Sequence, residues 1–496
     1  MKGALKIKLW GEEIGALMWD RQRKRSYFIY RPTFLTKGLN VAPLVAPVSD
    51  IRSRMPIYGE ENAKYQKLPS FLADSLPDDW GNQLFECWRT QNRIANGDIT
   101  PLEKLAFIGK RGMGALEFEP SIDRCYADAQ IEIKALVDLA QRIFVEREKA
   151  VIGPEEELTL HSLIAVGTSV GGRQPKAIIA INCETKEIRS GQITDLDGYD
   201  YYILKFGDAE RSSAELEMVY YEMCRLAGID IMDSQLFDVA GNVHFLTKRF
   251  DRKNGQKLHI QTLAALCPEA DSYEKLIAVC RKMNLGESVC EEIFRRMVFN
   301  VLANNTDDHN KNFSFIMNQN GEWGVAPAYD MTFIFNRGGF LPQMERCLMI
   351  RGKLQNITKS DILDFARDNA IRRPYRIINK VVSAVKAFRK IAMEYNVKDE
   401  WIKRVELCLS NNLNEWGLDA VNIDIIRFKV GKKMVENPRV EQVYKGNFHL
   451  YVTIDGKERK RVIRLGTEEH GLICKVGIQN LTKEDFVMLV EKFWID

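Results

Sequence analysis

Residues 298–330, VFNVLANNTDDHNKNFSFIMNQNGEWGVAPAYD, constrain the fold more than any other part of the chain. Val289, Ile293, Met297 and Val301 recur at helical spacing, so a buried helix carries the chain to the polar knot NNTDDHNKN, where the apolar pattern stops. The knot is expected as a loop on a rigid support. Beyond it Phe313, Phe315 and Met317 alternate with polar residues, Asn320-Gly321 supplies a tight turn, and Trp323 and Val325 open a return strand toward Tyr329 and Asp330. That hairpin brings Asp330 back beside the loop.

Three side chains of this stretch carry chemistry: Asp307, Asn312 and Asp330. In kinases with a catalytic loop, an Asp orients or deprotonates the attacking hydroxyl, an Asn five residues on binds a metal, and a second Asp beyond a hairpin bridges Mg²⁺ to the phosphates. Order and topology are the same here. Asp308 is a competing base, but only Asp307 stands five residues from Asn312. His309 is a candidate phosphate contact or a support for the loop. A polar loop with capping Asn and Asp residues is the plain alternative, and it gives no reason for the later Asp330.

TDDHNKNFSF, the APAYD that follows and segments taken up below resemble the HipA family of bacterial serine/threonine kinases, the toxin halves of type II toxin–antitoxin pairs. The likeness runs from near the start of the chain to about Trp416. It implies an α+β chain with a bilobal protein-kinase-like (PI3/4-kinase-like) fold and an N-terminal β-rich HipA-type domain. ATP and Mg²⁺ are the cofactors it implies, with Tyr329 among the nucleotide contacts.

At 496 residues and 45% hydrophobic, the chain can bury a large core and should form about three domains. A formal net charge of +3 gives no warrant for a nucleic-acid protein on global charge. Ten cysteines are scattered without a CxxC pair, which favours buried or reduced thiols over a disulfide frame or zinc site. MKGALKIKLWGEE lacks an apolar signal core and no apolar run is long enough to cross a bilayer, so a cytoplasmic protein is expected, with no membrane partner.

In chain order, Leu5, Ile7 and Leu9 alternate with lysines and two further short runs follow, so the chain opens as a small antiparallel sheet. In LPSFLADSLPDDWGNQLFECW, Pro77 and Asp78 precede an amphipathic helix. Together with PLEKLAFIGKRGMGALEFEP this segment resembles the HipA N-terminal domain, which in the family helps engage the antitoxin and packs on the kinase. Most of its residues read as packing without chemistry. A helix over Ile131–Ile143 links it to the next domain.

LIAVGTSVGGRQPKAIIAI reads as two β-like runs flanking a turn with Gly167, Thr168, Ser169, Gly171 and Gly172. A Walker A match fails, since Arg173 and Gln174 stand where Lys and Ser/Thr are needed. A strand-turn-strand suits a phosphate-covering loop instead. In YYILKF, Lys205 is a cation in a half-buried strand and needs an anionic partner. Phosphates and Glu217, on a helix from about Ser213 to Leu226, would supply one; a lysine snorkelling at a strand edge is the alternative. Lys176 in QPKA is a second phosphate-binding candidate. KRFDR resembles the family's hinge, so backbone groups around Lys248 and Phe250 would read the adenine, although the family more usually has Glu at Lys248. LHIQTLAAL lacks the acidic pair usual in relatives.

Past Asp330, Thr358 and Asp361 make a capping box, and amphipathic helices over Ile377–Tyr395 and Trp401–Trp416 complete a supporting lobe. FHLYVTIDGKERKRVIRLG is a basic hairpin turning at Asp455-Gly456, and its cations read as edge protection before they read as a nucleic-acid surface. The expected division is 1–125, an N-terminal domain; 126–250, an N-lobe; 251–417, a C-lobe; and 422–496, a small α+β appendage outside the resemblance.

The expected function is transfer of the ATP γ-phosphoryl group to a protein Ser or Thr. Asp307 would orient the hydroxyl, Asn312 and Asp330 hold Mg²⁺, and Lys205 position the phosphates. The family implies autophosphorylation in the glycine-rich turn, matching Ser169 with Thr168 adjacent. It also implies a HipB-like helix-turn-helix antitoxin as partner, DNA only through that partner, and a substrate in translation such as an aminoacyl-tRNA synthetase. A kinase of a small molecule or lipid, a non-enzymatic co-repressor of the antitoxin, and a degenerate nucleotide-binding pseudokinase are the alternatives.

Overall fold

The computed structural model describes residues 3–94, 99–122, 132–146, 156–167, 174–192, 197–253, 255–336, 341–418, 428–430, 433–442, 447–454, 457–464, 467–476 and 483–494. Two compact units divide the chain, residues 1–409 and 410–496. Along Leu5–Leu9 (β1) the alternation buries Leu5, Ile7 and Leu9 and turns the lysines outward. Trp10 and Gly11 take positive φ (49° and 80°), as a two-residue type I′ hairpin requires, and the chain returns as Glu12–Asp20 (β2). Arg25–Tyr30 (β3), Ile57–Tyr58 (β4) and Leu116–Glu119 (β5) complete a sheet of order β4-β3-β2-β1-β5. Pro32–Leu35 (α1) follows β3, and Ser70–Ala73 (α2), Asp79–Gln91 (α3) and Pro101–Ile108 (α4) lie between β4 and β5. Asp78 caps α3, and Thr100 with Glu103 forms a capping box on α4.

Ile133–Glu146 (α5) and Glu157–Gly167 (α6) lead into a second antiparallel sheet. Its strands are Lys176–Asn182 (β6), Ile188–Ser190 (β7), Tyr199–Lys205 (β8), Ser234–Val239 (β9) and Asn242–Lys248 (β10), in the order β7-β6-β8-β10-β9. Ser213–Ala227 (α7) packs on β9 and β10. Trp80, Leu84, Phe85 and Trp88 of α3, Phe107 of α4, and the buried residues of α5 and α6 share one core with Ala177, Ile179, Leu204 and Leu246 of this sheet.

The run Leu163–Val166, expected as a strand, is instead the last part of α6. Leu163, Ile164 and Val166 are fully buried and Ala165 nearly so. A run that is apolar on every side shows neither the two-residue nor the 3.6-residue period, so its sequence does not separate strand from helix. The glycine-rich segment therefore follows a helix in the chain and precedes β6. Thr168, Ser169, Gly171 and Gly172 lie outside the described residues.

Arg252–Lys253 (β11) and Gln256–Lys257 (β12) form a small hairpin. His259–Thr262 (β13), Ser314–Met317 (β14) and Trp323–Val325 (β15) make a third sheet in that order. The helices of this region are Leu263–Leu266 (α8), Tyr273–Lys282 (α9), Glu287–Leu302 (α10), Lys359–Asp368 (α11), Pro374–Lys386 (α12), Phe388–Glu394 (α13) and Asp399–Glu415 (α14). The single helix expected over Ile377–Tyr395 breaks at Ala387, whose N–H closes on Ala384 O (3.1 Å), one residue short of helical spacing, and Phe388 turns into the core.

In the second unit Phe428–Val430 (β16), Lys433–Gln442 (β17), Phe448–Ile454 (β18) and Lys457–Ile463 (β19) form one sheet in that order. Alternate residues of β18 pack with Ile473 of Glu468–Val476 (α15) and with Phe486, Leu489 and Val490 of Lys483–Trp494 (α16). The tip Asp455-Gly456 is outside the described residues.

Candidate active site

Helix α10 is buried along Cys290, Ile293, Phe294 and Met297, and that buried face fixes where the polar loop begins. In the loop two adjacent carboxylates part company. Asp308 is buried and accepts from Tyr273 Oη (2.7 Å), Arg346 Nη1 (3.0 Å) and the Cys347 N–H (2.9 Å). Its acceptor capacity is spent on holding the loop. Asp307 faces outward with 52% of its side chain exposed; its neighbours are the Cys347 thiol (3.8 Å) and His309 Nε2 (3.9 Å). Asn312 Nδ2–H donates to the Asp307 carbonyl (2.7 Å) and the Asn312 N–H to His309 O (2.8 Å), which leaves the amide oxygen of Asn312, among the described residues, as the end open to a ligand. Behind the loop, Ala264 N–H donates to Asn310 O (3.1 Å) and Leu263 N–H to Phe313 O (2.7 Å).

The hairpin of β14 and β15 returns to this loop. Tyr329 Oη donates to Lys311 O (2.6 Å) and lies 2.6 Å from Ser314 Oγ. Asp330 then takes a left-handed backbone (φ 52°), a strained state that clusters at functional sites. Lys205 Nζ lies 2.6 Å from Glu217 Oε2 and 2.5 Å from Asp330 Oδ1, so β8, α7 and the Asp330 segment meet at one ammonium. Burial works against the charged lysine, but Asp330 and Glu217 outweigh it and hold Lys205 above its ordinary range. Burial also pushes the Asp330 carboxyl up; Lys205 and Lys176 overcome this and bring it down to about 2, with a smaller contribution from His309. Lys176 stands opposite Lys205 in the β6–β8 register and is buried, which pushes it down against the pull of Asp330 and Asp78.

At the expected hinge, the Lys248 N–H donates to Asp233 O (2.9 Å) and its ammonium pairs with Asp200 (2.8 Å). Both groups are committed within the protein. The Phe250 ring stacks on Tyr329 at 5.5 Å and 26°, which ties the hinge to the segment that carries Asp330. Asp251 is fully buried and accepts from Arg249 (2.7 and 2.6 Å), Arg252 (2.5 Å) and the Gly114 N–H (2.8 Å). Gly114 has φ +76° and its Cβ would meet Ile260 N at 3.1 Å, so glycine is required where the first sheet's domain touches the hinge.

Residues 5–119 match the HipA N-terminal domain, and residues 168–391 match the HipA-like C-terminal domain. The chain belongs to the HipA family. Its α+β kinase-like fold resembles that of HipA from Shewanella oneidensis MR-1, solved as a toxin–antitoxin complex with HipB and operator DNA; the TM-score is 0.59 at 16% identity, over 84% of this chain and all of that one. Two curated proteins, named "Putative kinase" and "Putative kinase Y4dM", are also similar. One, from Haemophilus influenzae, is 28% identical over 36% of this chain and 57% of its own length. The other, from Sinorhizobium fredii, is 29% identical over 26% of this chain and 36% of its own length. This HipA-family chain thus spans about half or less of the curated relatives it matches.

The N-terminal domain of this HipA-family chain reaches the site, which its sequence did not announce. Asp74 accepts from the Thr262 N–H (2.8 Å) and Oγ1–H (2.7 Å), Ser70 Oγ donates to Ala265 O (2.7 Å), and Tyr65 Oη donates to Ala264 O (2.8 Å). The QTLAAL stretch is therefore clamped between this domain and the Asp307 loop. Asp74 and Asp78 have turn and cap positions, and no spacing in the sequence separates that role from a second one.

Proposed function

We propose that this chain is an ATP-dependent serine/threonine protein kinase and the toxin-like member of a pair with a HipB-like antitoxin. The observation that carries the reading is the Lys205 ammonium held between Glu217 and Asp330, beside a loop whose Asp307 faces solvent. Lys205 would position the α and β phosphates, and Asp307 would orient or take the proton of the attacking hydroxyl. Phe250 and Tyr329 would line the base, with Gly171 and Gly172 covering the phosphates.

Among the described residues no group of three or more His, Cys, Asp or Glu side chains could hold a metal ion. The Asn312 amide oxygen and the Asp330 carboxylate are nonetheless hard oxygen donors of the kind magnesium takes, and two protein ligands suit an ion that completes its shell with phosphate and water. Bound there, magnesium would neutralise charge on the phosphates. Lys205 engages Asp330 Oδ1, so the metal would share that carboxylate with the lysine.

A pocket of about 240 Å³ adjoins the loop, with Lys64, Glu269, Asp271, His309 and Cys347 in its wall. Charged walls of both signs suit a polypeptide acceptor better than a lipid chain. The proposal extends to a cytoplasmic protein substrate in translation, such as an aminoacyl-tRNA synthetase, to DNA contact only through the antitoxin, and to self-phosphorylation at Ser169 or Thr168. Phosphate there would add roughly two negative charges beside the nucleotide and oppose its binding.

Incubation with labelled ATP and Mg²⁺ followed by mass spectrometry tests this. Transfer to protein Ser or Thr is expected, and Asp307→Asn and Asp330→Asn should each abolish it in a folded protein. Transfer retained in both variants refutes the assignment, and transfer confined to metabolites or lipids moves it to another kinase class.

A further inference from the structure

Helix α3 lies in the N-terminal family domain, yet its first turns grip both stems of the glycine-rich turn. On the outgoing stem, Trp80 Nε1–H donates to the Lys176 carbonyl at 3.1 Å. On the incoming stem, a Cβ at Gly167 would lie 2.7 Å from Leu84 Cδ1, 3.2 Å from Trp80 Nε1 and 3.3 Å from the Lys176 oxygen, so any larger residue there would push on the helix. Trp80 and Leu84 are both fully buried. The grip is part of a packed core.

Asp78 opens the helix. One of its carboxylate oxygens caps α3 through the Gly81 N–H (3.1 Å), while Oδ2 is buried with no hydrogen-bond partner among the described residues. Such an oxygen is costly unless it answers a nearby positive charge. Burial pushes the Asp78 carboxyl up to about 6, and the cations pulling against this are Lys176 and Lys311 of the catalytic loop. Lys176 in turn stands beside Lys205, and two neighbouring ammonium groups need carboxylates to divide them. Glu217 and Asp330 answer Lys205; Asp330, Asp78 and, more weakly, Glu217 answer Lys176. When Asp330 is shared with a metal–nucleotide, Glu217 stays paired with Lys205, and Asp78 is the carboxylate that the N-terminal domain sets against Lys176.

We propose that Asp78 is a positioning residue of the nucleotide site, acting through Lys176 to hold its ammonium at the base of the glycine-rich turn, where the phosphates of a nucleoside triphosphate would lie. This rests on the kinase reading and extends it: the N-terminal family domain becomes part of the phosphate site.

Asp78→Asn and Asp78→Ser separate this role from capping, because both keep an oxygen able to cap a helix and lose only the charge. The measurements are equilibrium binding of a non-hydrolysable ATP analogue with Mg²⁺, and KM and kcat for ATP. Both variants should weaken analogue binding and raise KM roughly tenfold, with kcat within about twofold and the melting temperature within about 2 °C. Asp79→Asn, at the exposed neighbour, should change neither. Wild-type affinity in both Asp78 variants overturns the inference and leaves the kinase reading standing. A lowered melting temperature with parallel loss of kcat and binding assigns Asp78 to capping alone and also overturns it. Failure of the unaltered protein to bind the analogue or transfer phosphate overturns the kinase reading itself.

Discussion

Asp307 and Asp308 are the same side chain at neighbouring positions, and their surroundings give them opposite work. Asp308 is locked by Tyr273, Arg346 and Cys347, so Asp308→Asn leaves the buried Arg346 without its counter-charge and should cost about 3 kcal/mol in urea unfolding. Asp307→Asn, at a half-exposed position, should stay within about 0.5 kcal/mol of the parent by the same measurement. Equal destabilisation by the two would remove the distinction. Asp251 supplies the pH dependence. Burial would raise its carboxyl, but Arg249 and Arg252 overcome this and hold it well below the usual carboxylate range. A depressed folded value means stability that is present above about pH 4, the ordinary Asp value, and lost as pH falls below it. Asp251→Asn should flatten this acid limb and cost about 3–5 kcal/mol at neutral pH, read from denaturant midpoints between pH 3 and pH 7. At this scale the chain was legible where a buried charge demands a partner, as Lys205 demands Glu217. It was illegible where a residue's partner lies far along the chain, as Asp74 lies from Thr262.

Elements that carry a periodic stripe declared themselves: β1 through its lysine alternation, α10 through its buried face, α11 through the Thr358–Asp361 box. Helix α6 did not, because LIAV is buried on every side. Helix α8 was equally opaque, since four residues show no period and its position comes from contacts on both sides. Those contacts make a prediction at this scale. Asp74→Ala removes two acceptors from Thr262 and should cost about 1–3 kcal/mol. Amide exchange at Leu263 and Ala264, whose N–H groups bond to the Asp307 loop, should accelerate selectively. Unchanged exchange there would show that the loop holds α8 without help.

Across the molecule, every described candidate site residue lies in the first unit, and the family boundary between residues 119 and 168 is not a boundary of its packing. Trp80, Leu84, Phe85, Trp88 and Phe107 precede that boundary yet belong to the core of the second sheet. Loss of a single buried Phe or Trp costs about 3–5 kcal/mol, against a whole-domain stability of about 5–15 kcal/mol. A fragment beginning at residue 120 should therefore be insoluble or lack cooperative unfolding; a sharp calorimetric transition from it would disprove the shared core. The same arrangement governs inheritance. Exchanging the first family domain between two relatives would pair one parent's α3 and α4 with the other parent's β6, so a working hybrid must draw those helices and that strand from a single ancestor.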